Sequence, residues 1–193
     1  MKPRLAFLCS GEGTTFKYLA EQAQFQAVCL ITNTKKAPVL KKAQNLNISS
    51  FTICPHEYPS TELWDEAVLK CLENKSIDLV ILAGFLCRVG PLVLSSFKNK
   101  VINSHPALLP KFGGQGMYGI HVHKAVLQAQ GKTTGVTIHY VNEEYDKGTI
   151  IAQKKINVLD NDTPEILEER VKKIEKAFYA EVIEQIWKKQ NER

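Results

Sequence analysis

The sequence predicts a doubly wound α/β fold: a mostly parallel, Rossmann-like sheet with helices on both faces, a carboxyl-terminal β-hairpin extension and a long final helix. Three observations predict it. Short apolar runs of strand length alternate with amphipathic segments of helical spacing through the first half of the chain. Two further strand-like runs then flank a turn-rich stretch, and the closing segment carries one apolar stripe with a 3.6-residue period. Strand-helix alternation of this kind implies right-handed βαβ units and a sheet buried on both faces.

The strand-like runs are RLAFLC (4–9), AVCLIT (27–32), SSFTI (49–53) and DLVILAG (78–84). Between them TTFKYLAEQAQ (14–24), APVLKKAQNL (37–46) and STELWDEAVLKCLENK (60–75) have helical spacing, and in the last Leu63, Ala67, Val68 and Leu72 share a face. A fifth strand, KVINS (100–104), runs into a glycine- and proline-rich stretch from Pro106 to Gly119. A short helix near Val122 to Gln130 follows, then the strand pair GVTIHYV and TIIAQKKINV around the turn NEEYDKG. Thr163 can cap and Pro164 can start the final helix. Its stripe is Ile166, Leu167, Val171, Ile174, Phe178, Val182 and Ile186.

At 193 residues the chain is expected to form one domain, residues 1–193, large enough to bury a core without disulfide staples. Its 44% hydrophobic and 23% charged content is that of a soluble globular protein, and no apolar run approaches the length of a membrane span. The apolar run Leu5 to Cys9 behind Met1-Lys2-Pro3-Arg4 is too short for a signal-peptide core, so a cytoplasmic location is expected. Five widely spaced cysteines with no C-x-x-C pair read as reduced thiols, with no metal site. The formal charge of +5 suits an anionic partner, but the lysine pairs Lys41-Lys42, Lys172-Lys173 and Lys188-Lys189 are not interleaved with aromatics. They read as solvated helix faces, and small phosphorylated or carboxylated molecules fit better than nucleic acid.

Three stretches could carry chemistry. In CSGEGTTF (9–16), Gly11 and Gly13 stand between a strand and a helix, where backbone N–H groups can converge on a phosphate. The plain alternative is a tight turn with Thr14 or Thr15 as N-cap; the loop is neither a Walker motif nor G-x-G-x-x-G. In NSHPALLPKFGG (103–114), Asn103 and His105 lie two apart at the end of a strand and project to one side if the strand persists. Pro106 holds His105 extended, and an amide beside an imidazole is what acyl-type transfer uses, one group for the oxyanion and one for the proton. The alternative is a structural histidine with an asparagine capping a turn. In EEYDKGT (143–149), hairpin chemistry accounts for the residues by itself, while a carboxylate brought to His105 would favour the imidazolium.

Taken in order, SGEGTT, LAGFLCRV, NSHPALLPKFGG and YDKGTII resemble the landmarks of the folate-dependent formyltransferases across essentially the whole chain. The resemblance implies a Rossmann-like formyltransferase fold, 10-formyltetrahydrofolate as co-substrate, no metal, and glycinamide ribonucleotide as acceptor in purine biosynthesis. It implies that Asn103, His105 and Asp146 are catalytic, and that Gly13, Thr14, Thr15 and Glu175 hold the ribonucleotide. The folate would then meet Leu86, Cys87, Arg88, Val89 and Asn103, together with Asn142, Glu143, Glu144, Tyr145 and Asp146. The expected partners are these two small molecules alone, with no nucleic acid and no membrane, for a monomer or weak homodimer. Family members that act on transfer RNA or hydrolyse the folate carry an additional domain for which 193 residues leave no room. Glu12 and Thr15 depart from the family's asparagine or serine and asparagine, and a glutamate beside an anion site is unfavourable unless it points outward. The segment GGQGMYG resembles the longer loop of one branch, a candidate lid. A nucleotide-binding domain without turnover is the rival reading.

Overall fold

The computed structural model describes residues 1–191. The chain divides into two compact units, the first from Met1 to Asn103 and the second from Ser104 onward.

In the first unit, β1 (Arg4–Leu8), β2 (Gln26–Thr32), β3 (Ser49–Thr52) and β4 (Leu79–Leu82) alternate with α1 (Thr14–Ala20), α2 (Val39–Asn45) and α3 (Thr61–Leu72). A six-residue helix, α4 (Pro91–Ser96), leads into β5 (Val101–His105), whose last two residues belong to the second unit. β1 pairs in parallel with both β2 and β4, β2 with β3, and β4 with β5. The central strands are apolar on both faces, and Leu5, Ala6, Phe7, Leu79, Val80 and Ile81 are fully buried. That is the composition a doubly covered parallel strand requires.

The second unit holds α5 (Ile120–Gln128), the antiparallel pair β6 (Thr133–Tyr140) and β7 (Ile150–Asn157), and α6 (Pro164–Asn191). Thr163 caps α6, accepting from the Ile166 N–H at 3.3 Å. Strand order along the sheet is β3-β2-β1-β4-β5-β6-β7, so the order reverses between the parallel neighbours β1 and β4, the switch point where open α/β sheets bind ligands. Among the described residues, no helix is long and apolar enough to cross a membrane. All five cysteines are free thiols.

Four local expectations change. α1 stops at Ala20 rather than Gln24. Its N-cap is Gly13 in the left-handed region, with no side-chain cap, so neither Thr14 nor Thr15 fills that role. On α3 Leu63 is exposed, and Trp64 and Asp65 turn inward instead, because the indole N–H donates to the Ile53 carbonyl and the carboxylate reaches α4. Ile166, at the start of the α6 stripe, is also exposed, whereas Leu167, Val171, Phe178, Val182 and Ile186 are buried.

Candidate active site

His105 ends β5 and is 3% exposed. Its Nε2 lies 2.7 Å from the Phe112 carbonyl oxygen, and its Nδ1 lies 3.3 Å from Asp146 Oδ2. A carbonyl and an ionised carboxylate only accept, so a neutral ring satisfies one of the two and the imidazolium satisfies both. Asp146 reaches this position from the β6–β7 turn with a left-handed backbone (φ 57°). The turn needs Gly148 two residues on: a Cβ there would lie 1.7 Å from the Tyr140 carbonyl oxygen. The carboxylate also accepts from the Gly114 N–H at 2.9 Å and faces His139 Nε2 at 3.5 Å, while His139 Nδ1 contacts the Tyr140 carbonyl at 2.9 Å. One carboxylate thus serves two imidazoles and an amide from the glycine-rich segment.

Burial pulls the His105 pKa below its ordinary value, against the Asp146 carboxylate and the Phe112 carbonyl, which push it up; the His139 ring adds to the fall. Burial raises the Asp146 carboxyl, but His139, His105 and the Gly114 amide outweigh it and leave the group below the usual carboxylate range. The free site therefore favours a neutral imidazole beside a charged carboxylate, poised so that a proton arriving on His105 has a counter-ion already in place.

The backbone just after His105 is fixed by two polar side chains from the hairpin. Thr137 donates to the Ala107 carbonyl at 2.6 Å and accepts from the Leu109 N–H at 3.0 Å. Gln153 donates to both the Leu109 carbonyl and the Thr137 hydroxyl at 2.9 Å. Sequence reasoning missed His139, Thr137 and Gln153. The signal was there: Thr137 and His139 are polar residues alternating with Val136 and Ile138 on β6, and both are buried.

Asn103 stands two positions before His105 on β5. Glu175, on α6, has its pKa raised by burial, with the Ser104 hydroxyl and then Lys172 and Lys176 opposing the rise. Its neighbour Tyr179 is fully buried and also raised, by burial and then by Glu175. Asn142, Glu143, Glu144 and Tyr145 are exposed residues of the β6–β7 loop. His123 on α5 is buried, and burial holds its pKa down at about 4.

The remaining expected residues lie in the first unit. Gly13 (φ 67°) packs so closely on α2 that a Cβ would lie 2.2 Å from Val39 Cγ2, and the Val39 N–H donates to the Gly11 carbonyl at 3.1 Å. Thr14 and Thr15 open α1. Glu12 points outward, 72% exposed and 3.5 Å from Lys42 Nζ, which answers the electrostatic objection to a glutamate in this loop. Between β4 and α4, exposure alternates: Leu86 and Arg88 face outward, while Phe85, Cys87 and Val89 are tucked in. The two-residue alternation is that of an extended edge. Cys54, His56 and Glu57 bring ligand atoms within 4.8 Å of one another after β3, but Glu57 is already ion-paired with Lys35.

Residues 3–183 match the formyl transferase family model. The chain is 39% identical over 189 residues to a chloroplastic phosphoribosylglycinamide formyltransferase of Arabidopsis thaliana, a match covering 94% of this chain and 64% of the plant protein. It therefore spans just under two thirds of that relative's length. It is 33% identical over 188 residues to the phosphoribosylglycinamide formyltransferase of Bacillus subtilis, covering 95% of this chain and 94% of the bacterial one. The solved phosphoribosylglycinamide formyltransferase of Streptococcus pneumoniae superposes with a TM-score of 0.88 at 33% identity, covering 97% of this chain and 99% of that chain.

Proposed function

The chain belongs to the formyl transferase family, and on that premise we propose that it transfers the formyl group of 10-formyltetrahydrofolate to the amine of glycinamide ribonucleotide, a step of purine biosynthesis. The observation that carries the reading is the contact of His105 with Asp146, formed by the two sequence motifs that the family resemblance singled out. The proposal treats the 193 residues as one catalytic domain, supported by a family match that runs through both compact units.

In the proposed reaction the substrate amine attacks the formyl carbon directly. The Asn103 amide donates to the oxyanion that develops on the formyl oxygen. Neutral His105 accepts the proton released by the attacking nitrogen and returns it to the folate nitrogen as the C–N bond breaks. Asp146 stabilises the intervening imidazolium, and His139 and the Gly114 amide hold Asp146 in place. No covalent bond to the protein forms. Gly13, Thr14 and Thr15 would hold the ribonucleotide phosphate through backbone N–H groups, and Glu175 would contact the same substrate. Leu86, Cys87, Arg88 and Val89, with Asn103 and the loop Asn142 to Asp146, would hold the folate.

We place the protein in the cytoplasm, in keeping with five unpaired thiols. We read it as a monomer or weak homodimer with no nucleic-acid partner, because exposed lysines such as Lys172 and Lys188 are paired with Glu168 and Glu184 on their own helix. The test is an absorbance assay in which the purified chain receives the formylated folate and glycinamide ribonucleotide. Loss of the formyl-folate band only when both are present is the expected result. Binding of both ligands without turnover would leave a nucleotide-binding domain instead.

A further inference from the structure

The two loops assigned above to separate substrates leave neighbouring strands at the switch point, the glycine loop after β1 and the extended edge after β4. One residue joins them. The Ser10 N–H donates to the Gly84 carbonyl at 3.1 Å, and the Ser10 hydroxyl accepts from the Leu86 N–H at 2.9 Å. Ser10 immediately precedes Gly11, whose own carbonyl is held by Val39. Leu86 is the outward-facing residue of the extended edge, 54% exposed.

The rest of that edge is anchored from behind. Phe85 stacks on Trp64 of α3 with ring centroids 6.4 Å apart and planes 10° from parallel. The next α3 residue, Asp65, is 2% exposed and accepts from the Leu92 N–H at 2.7 Å, and Gly90 leaves no space for a Cβ beside its carboxylate. Asn33 donates to the Cys87 sulfur at 3.0 Å. The edge is thus braced at Phe85, Cys87 and Gly90, while the level of Leu86 between them is set by the hydroxyl of Ser10. Gly84, at the near end, sits in the left-handed region (φ 72°), so the strand turns sharply there.

We propose that Ser10 is a positioning residue that couples the two substrate loops, so that a ribonucleotide held by the glycine loop fixes Ser10 and thereby presents the Leu86 edge for the folate. The proposal rests on the assignment of these loops under the proposed function. Coupling of this kind is reciprocal: each ligand must tighten the other by the same factor. It would favour assembly of the ternary complex over idle binding of either substrate.

The experiment titrates the full-length protein calorimetrically with glycinamide ribonucleotide and with tetrahydrofolate, which lacks the formyl group and cannot react, each alone and in the presence of the other. In the wild type each should lower the dissociation constant of the other by one common factor. Ser10→Ala should weaken tetrahydrofolate about three- to tenfold, the equivalent of one intramolecular hydrogen bond, and bring the coupling factor towards one. The ribonucleotide alone should change less than the folate, and Ser10→Thr, which keeps the hydroxyl, should restore the coupling. Ser10→Cys, with a weaker acceptor, makes the same comparison if the alanine variant does not fold. In steady state the split should appear as a raised folate KM with a smaller fall in kcat. A wild-type factor of one, or a factor that survives loss of the hydroxyl, overturns the proposal. Leu86→Asp separates the two levels. If it loses the folate while Ser10→Ala keeps the coupling, the loop assignment stands and the role of Ser10 falls. If it binds the folate normally, the loop assignment is wrong and the proposal falls with it.

Discussion

Asp146→Asn removes one charge and nearly no volume. Asp146 Oδ2 and His105 Nδ1 lie 3.3 Å apart, with their side chains 10% and 3% exposed, so bulk water screens the pair weakly. Removing the carboxylate charge should therefore lower the His105 pKa further and destabilise the imidazolium. Because in the proposed mechanism the imidazolium exists only between the two proton transfers, the loss falls on the transition state, and kcat should drop by about 10² to 10⁴. The pH profile carries a second signature. If neutral His105 starts the reaction, as proposed, the acid limb of kcat/KM should move to lower pH as the plateau falls. Steady-state kinetics from pH 5 to 9 on the formyl-folate band, with NMR titration of the His105 ring, measure both. If Asp146 only supports the turn before Gly148, the variant will melt earlier but turn over normally per folded molecule, with an unchanged histidine pKa, and the two groups are not coupled.

His139→Gln should reduce kcat about tenfold, a modest part of a general acid-base contribution; in an Asp146→Asn background it should cost little more, because both changes act through one carboxylate, and additive losses would contradict this. Gly13→Ala should raise the ribonucleotide KM more than the folate KM, but it also places a Cβ against Val39 at a left-handed position, so urea denaturation should show about 1–3 kcal/mol lost; unchanged stability would mean that α2 moves aside. His123 should make the fold acid-sensitive. Its folded pKa of about 4 lies below the unfolded value of about 6.5, so the unfolded chain takes up the proton first. Its contribution, about 3 kcal/mol, is fully present above pH 6.5 and lost as pH falls towards 4. His123→Phe should flatten that part of the stability curve, and an unaltered curve would show that the acid loss comes from elsewhere.

The sheet was legible because strands buried on both faces must be short apolar runs, and β1, β2 and β4 are such runs. α4 was not, since six residues give no helical period to detect. On α3 the buried Val68 and Leu72 were read correctly but Leu63 was not, because a hydrogen bond from Trp64 and a cap from Asp65, both made to distant backbone, decide which side of the first turn is buried. At the site, the strand-histidine-proline order and the glycine of the β6–β7 turn could be read locally. The meeting of His105 and Asp146 could not, because it depends on how the hairpin packs, and neither could the burial that lowers the histidine's pKa against the carboxylate. The outward turn of Glu12 towards Lys42 likewise follows from the placement of α2.

In the proposed reaction one carbon atom moves directly from the folate to the ribonucleotide amine while His105 carries the proton. The most direct measurement supplies 10-formyltetrahydrofolate labelled with ¹³C in the formyl group and follows the label by NMR. The label should appear as the formamide of the ribonucleotide, with none released as formate, and His105→Ala, folded and still binding both ligands, should leave it on the folate. Label recovered as formate would rule out transfer to the amine, and transfer at full rate in the alanine variant would rule out the role of His105.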